Sequence, residues 1–161
     1  MGVYGNALLE INYLGSNEFD ISKNDITNPN VVEKFIDSKM DREEQLNASL
    51  SIIGHISTLL LSAVCPVTPA VAVVTMIMKK FISGYIYNKA VGEKKPNAIK
   101  KCGNTLRKLR RVLKSKLNNE TDLSKKINIQ ESIDLCDSLI KECDSTASSI
   151  QKRTIINTLL S

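Results

Sequence analysis

Residues 97–117 read NAIKKCGNTLRKLRRVLKSKL, and residues 127–160 read INIQESIDLCDSLIKECDSTASSIQKRTIINTLL. In both stretches an apolar residue recurs every three or four positions, which is the spacing of one face of an α-helix. The polar link between them, residues 118–124, is short, and short links join antiparallel helices. The sequence therefore predicts an antiparallel helical hairpin over residues 96–161.

The second stretch carries the heptad pattern of a coiled coil, because its apolar positions alternate in steps of four and three. Such a seam pairs either with the first helix of the hairpin or with a helix of another subunit. We therefore treat it as a candidate assembly seam for a protein partner or a homo-oligomer. Its candidate residues are Ile129, Ile133, Ile140 and Ile150.

The first stretch is basic: residues 96–117 hold eight basic side chains and no acidic one. Lys and Arg on a helix neutralise phosphates and release counterions, which favours a polyanion-binding face. The second helix carries five acids beside its seam, and internal pairing with them would leave about three bases free. Both interpretations stay open. The candidate partner- or polyanion-binding residues are Lys100, Lys101, Arg107, Lys108, Arg110, Arg111 and Lys114.

The formal net charge of +5 hides this asymmetry. Residues 1–48 sum to −5, residues 49–95 to +4, residues 96–117 to +8 and residues 118–161 to −2. A charge divided in this way indicates either a surface for a polyanion or segments of opposite charge that pack on each other.

Two further helices are predicted upstream of the hairpin. Asn28-Pro29-Asn30 is typical of a helix start, and the pattern that follows predicts one long helix over residues 31–64. Residues 65–69 end it, because Pro66 and Pro69 cannot donate the hydrogen bonds of a continuing helix. The next segment, residues 70–90, is apolar on all sides and leads to a linker at residues 91–96.

The predicted fold is therefore all-α, a helical bundle of about four main helices. An N-terminal arm covers residues 1–29. Residues 30–91 hold the long helix and an apolar helical hairpin, and residues 96–161 complete the same domain. A chain of 161 residues with 42% hydrophobic side chains is long enough to form one domain with its own core.

An uncharged run extends from residue 46 to residue 78. Its length would allow a membrane span, but hydroxyl-bearing residues dilute its first half and two prolines cut it near the middle. We expect a buried central hairpin. The alternative is a membrane-active hairpin over residues 46–87 that inserts into a bilayer.

The composition argues against catalysis. The chain has one histidine, His55, no Trp and only 4% aromatic residues, so a cluster of histidines and cysteines for a metal cannot be built. No Gly-rich phosphate loop, HExxH or GxSxG motif occurs. We therefore expect no enzyme activity, no catalytic residue, no cofactor and no metal site.

The cysteines and the N-terminus indicate the compartment. The opening MGVYGNALLE resembles neither a signal peptide nor a transit peptide. The four cysteines contain no CxxC pair, so buried free thiols are expected. These observations predict a cytoplasmic protein, in a host cytosol or a virion interior, that is not secreted. The cysteines are Cys65, Cys102, Cys136 and Cys143.

The segment from Tyr4 to Glu10, YGNALLE, resembles the short N-terminal segments of some tailed-phage virion proteins. Its Leu8-Leu9-Glu10 is similar to the hydrophobic-x-Glu sites that phage maturation proteases cut. The resemblance covers about ten residues and implies a small virion or capsid-delivered protein without assigning an activity.

The function that these patterns favour is a non-enzymatic helical binding or assembly protein, of phage origin if the resemblance holds. The alternatives are a membrane-active protein and a non-specific nucleic-acid-binding protein that uses the basic helix. Four apolar residues near the C-terminus lie outside the heptad frame, and we expect them to be buried by another subunit or by the helix at residues 70–87. They are Ile155, Ile156, Leu159 and Leu160.

Overall fold

The structure is a computed structural model that describes residues 25–87 and 95–161. The predicted N-terminal arm up to residue 24, and most of the predicted linker, lie outside the described residues. A 3-10 turn, Asp25–Thr27, precedes five helices, and the described residues contain no strand, so the all-α prediction is confirmed. The helices are α1 (Pro29–Asp37), α2 (Arg42–Leu61), α3 (Val67–Tyr87), α4 (Pro96–Asn119) and α5 (Leu123–Leu160).

The single long helix expected over residues 31–64 is wrong, because the chain breaks into α1 and α2. Asp41 supplies the N-cap of α2: its Oδ1 accepts from the Glu44 N–H at 2.8 Å, and Glu44 Oε2 accepts from the Met40 N–H at 3.3 Å. This reciprocal pair satisfies donors that a helix start leaves open. These capping hydrogen bonds begin a new helix, α2, although the apolar pattern continues across the break from α1.

The end of α2 is a Schellman motif. The Val64 N–H donates to the Leu59 carbonyl at 3.0 Å, and the Ala63 N–H donates to the Leu60 carbonyl at 3.2 Å. Ala63 has a φ of 55°, the left-handed conformation that this motif requires. Pro66 is the N-cap residue of α3, so the chain breaks between α2 and α3 where the prolines predict it.

Helix α3 contains one π-helical stretch, Met78–Ile82, between two α-helical parts. It lies at the centre of the molecule, with Ala70, Val74 and Ile77 fully buried. On its exposed side Lys80 donates to the carboxylates of Glu33 and Asp37 on α1. These carboxylates, Glu33 first, raise the pKa of the Lys80 ammonium and help to hold α1 against α3.

Helices α4 and α5 form the predicted hairpin and make the most extensive helix pair of the molecule. Helix α5 begins four residues before its predicted start, because the Asp122 side chain caps it by accepting from the Lys125 N–H at 3.0 Å. Helix α4 also packs on α2, and α3 packs on α5, which places the hairpin against the upstream helices around one core.

The heptad seam faces that core. Ile129, Ile133 and Ile140 are buried within their own chain, and Ile150 is half-buried. For the first three residues the assignment as a seam between subunits is therefore corrected, because the hairpin and α3 already cover them; for Ile150 it stays a prediction. A heptad pattern selects a helical partner without distinguishing a partner in the same chain from one in another.

Candidate interaction surfaces

The C-terminal end of α5 extends beyond the bundle. Cys102 and Cys143 face each other across the hairpin, as do Arg107 and Asp144. Helix α4 begins only six residues before Cys102, at Pro96, so the antiparallel neighbour of α5 ends near Ile150. Residues 151–160, about 15 Å of helix, lie past it and are exposed throughout. We call this segment the overhang.

The overhang carries four large apolar side chains, the ones that fall outside the heptad frame. Ile155 is 52% exposed, Ile156 is 53% exposed, Leu159 is 79% exposed and Leu160 is 81% exposed. The expectation that α3 would bury them is wrong, because no described residue covers them. A cluster of exposed large apolar residues on one helix face is typical of a surface that contacts another molecule.

Two ion pairs join the basic helix to α5. Arg107 Nη2 lies 2.5 Å from Asp144 Oδ1, and Arg110 Nη1 lies 2.9 Å from Asp137 Oδ1. These two pairs align the helices of the hairpin, but exposed ion pairs contribute only about 0–1 kcal/mol each. Of the seven candidate basic residues, the structure thus places Arg107 and Arg110 beside the hairpin contact rather than on a free surface.

The other five candidates point outward and form no ion pair within the described residues. Lys100, Lys101, Lys108 and Arg111 line one side of α4 over about three turns, with Asn104 between them. We call these four residues the basic stripe. No acidic side chain occurs on α4, so no carboxylate of its own helix interrupts the stripe, and Lys114 lies at its edge.

The buried thiols form part of the core. Cys102, Cys136 and Cys143 are free and buried, and Cys65 is half-buried. Cys136 Sγ lies 3.5 Å from Met78 Sδ on the π-helical stretch, and burial raises the pKa of the Cys136 thiol to about 12. A hydrogen bond to Cys143, together with burial, raises the pKa of Cys102. Both shifts hold these thiols in the neutral form, in which they are poor nucleophiles.

A cleft of about 700 Å³ opens between the α1–α2 turn and the end of α3. Lys80 and Asp37, two of its charged residues, pair with each other, so their charges are matched within the protein. In the described ranges no group of three or more His, Cys, Asp or Glu side chains is placed to hold a metal ion.

Helix α3 has the length and apolar composition of a membrane-spanning helix, and 44% of its most apolar window is buried. The core helix of a soluble bundle meets the same criterion. The membrane-active alternative therefore stays a prediction, which co-flotation of the intact protein with liposomes would test.

Two apolar residues at the opposite end of α5 are exposed, which was not predicted from the sequence. Leu123 is 72% exposed and Ile127 is 50% exposed, because both lie on the side of α5 that faces away from the core. The periodicity was a sufficient signal: at 3.6 residues per turn neither residue falls on the side that carries Ile129, Ile133 and Cys136.

Comparison of the chain with known protein families, with characterised proteins and with solved structures finds no match.

Proposed function

We propose that this chain is a non-enzymatic interaction protein whose working surface is the overhang of α5. The observation that supports the proposal is the exposure of four large apolar residues on a helix end that no described part of the bundle covers. Leaving such side chains in water forgoes roughly 1.5–3 kcal/mol each relative to burial. A contact with another macromolecule would recover part of that free energy.

The arrangement of the molecule fits such a contact. Helix α5 is anchored through its buried half by Ile133, Cys136 and Ile140, so that the overhang is the continuation of a fixed helix. A helix already nucleated needs no further nucleation to extend its end, and it presents its side chains in a preformed geometry.

A photo-crosslinking amino acid at position 159 tests the proposal in the cells that express the protein. We expect illumination to yield a covalent adduct, either with a second copy or with a different protein. The matched control places the same crosslinker at position 58, which is exposed on α2 and lies outside both the overhang and the basic stripe, and it should give none. The absence of any adduct from position 159 would contradict the proposal.

A second candidate function is binding to a polyanion, which the basic stripe supports because its four exposed basic residues lie together on one side of α4. Nucleic acid would be held through phosphates, because no aromatic side chain lies among the stripe residues to stack on bases. We expect weak, sequence-independent binding of duplex DNA at about 50 mM salt that falls steeply as salt is raised.

The combined change Lys108→Gln and Arg111→Gln should weaken this binding at least about tenfold and lower its salt dependence. The control is the double variant Lys125→Gln and Lys126→Gln. It removes the same number of positive charges, two, from exposed positions on α5. Equal losses from the two double variants would show a general charge effect and would remove the stripe as a site.

A further inference from the structure

The outward side of α5 carries apolar residues at both of its ends. Leu123 and Ile127 lie in its first turns, and Ile155 and Leu159 lie in the overhang. Leu123 and Leu159 are 36 positions apart, which is about ten α-helical turns, so they stand on one line along the helix. Ile127 lies close to that line as well. The two apolar clusters therefore share one face.

The apolar ends of this face match each other about a two-fold axis. Lys141 is the midpoint between Leu123 and Leu159, and it lies on the same line, about five turns from each. If a second α5 runs antiparallel across the face with a two-fold axis at Lys141, Leu123 of each copy meets Leu159 of the other. In the same register Ile127 meets Ile155. A two-fold interface needs this kind of match between a surface and itself.

Between the clusters, the two Lys141 side chains meet at the axis, where their long stems let the ammonium groups turn away from each other into water. Glu131 of one copy comes within about one turn of Lys152 of the other, which places opposite charges together twice in the dimer. Ser138 and Ser145 lie on either side of Lys141, and such small side chains let two helices approach. All of these side chains are exposed, and the rest of each bundle lies on the far side of its own α5.

We propose that the partner of the overhang is a second copy of this chain, bound through an antiparallel α5–α5 contact centred on Lys141. This inference rests on the proposed function, since it names the partner for the same surface. Each overhang would then be covered by the first turns of the other copy's α5, and the two contacts would lie about 50 Å apart.

Cysteine crosslinking tests the register. Cys65→Ser removes the one native thiol that is not buried, and Lys141→Cys or Ser148→Cys is then added. In the antiparallel dimer the two thiols at position 141 meet at the axis, whereas those at position 148 lie about 20 Å apart. With oxidised glutathione as the oxidant, each disulfide forms as two thiols lose two protons and two electrons, and glutathione is reduced.

We expect a covalent dimer from Lys141→Cys and none from Ser148→Cys. Equal dimer from both variants would indicate parallel pairing or random collision and would overturn the proposed contact. Absence of the dimer from Lys141→Cys would overturn it as well.

The molar mass in solution, measured by light scattering, gives an independent test that needs no introduced cysteine. We expect twice the monomer mass for the native chain and at least tenfold weaker association for Leu159→Ser. Asn157→Ser, on the other side of the overhang, is the matched control and should associate like the native chain. Unchanged association of Leu159→Ser would contradict the inference.

A native chain that is monomeric, but that forms an adduct with a different protein from the crosslinker at position 159, would overturn this inference and leave the proposed function standing. A monomer without any adduct would remove both.

Discussion

At the scale of single residues, the chain adopts one conformation that its side chain does not favour. Ala63 occupies the left-handed position that ends α2, where a Cβ atom lies too close to the neighbouring backbone. The two Schellman hydrogen bonds and the following Pro66 hold it there. Glycine is the residue that takes this position without steric cost.

Ala63→Gly should therefore raise the free energy of unfolding by about 0.5–1 kcal/mol, after the entropy that glycine adds to the unfolded chain is subtracted. Urea denaturation measures the change. Ala72→Gly, at an exposed position inside α3, is the control and should lower stability by up to about 1 kcal/mol. A loss at position 63 of the same size as at position 72 would contradict the structure of this turn.

The buried thiol of Cys136 makes stability depend on alkaline pH. Its pKa is about 12 in the folded chain against 9.0 for an unperturbed thiol. Below pH 9 the thiol is neutral in both states and its contribution to stability is complete. As pH rises from 9 towards 12 the unfolded thiol ionises first, which favours unfolding.

The denaturation midpoint should consequently fall as pH rises through this window, and it should fall less steeply in Cys136→Ala. The substitution also changes the packing, but that effect is the same at every pH and so does not alter the slope of the profile. Profiles that run parallel from pH 9 upward would show that Cys136 does not contribute.

At the scale of helices, the hairpin could be predicted closely and the first helices could not. Apolar steps of three and four over about 20 residues leave no other assignment for α4 and α5. The break between α1 and α2 depends on the capping pair of Asp41 and Glu44, which is a local hydrogen-bond choice inside an apolar pattern that continues across it.

The outward apolar face of α5 could be predicted only in part from the sequence. Ile155 and Leu159 stood out because they fall outside the heptad frame, but whether anything covers them depends on where the antiparallel neighbour begins. That position follows from the register of the hairpin, which contacts such as Arg107 with Asp144 show. The same register decides which basic residues of α4 face α5 and form ion pairs with it, and which ones stay unpaired.

Removal of residues 151–161 should leave the bundle intact, since no described residue packs on the overhang. We expect the free energy of unfolding of the dilute protein to change by no more than about 0.5 kcal/mol. Removal of residues 141–161 is the control: it deletes buried Cys143 and the Asp144 ion pair and should cost several times more. A large loss from the shorter truncation would mean that the overhang supports the fold.

At the scale of the whole molecule, the bundle divides its surfaces by chemistry. One core of apolar residues and buried thiols joins all five helices. Helix α4 turns a positive stripe outward, and α5 turns outward a face that is apolar at both ends. The positive net charge of the chain, +5, thus depends on α4. Only two basic residues of α4 form ion pairs with α5. The account describes a protein of contact surfaces.

Its central claim is that the outward face of α5 is covered by a second copy. Hydrogen–deuterium exchange of the native chain, followed at increasing protein concentration, tests this claim most directly. We predict that amides in residues 151–160 and in the first turns of α5 gain protection together as the concentration rises, while the buried stretch between them changes little. Exchange in both ends that stays fast and independent of concentration would contradict the claim.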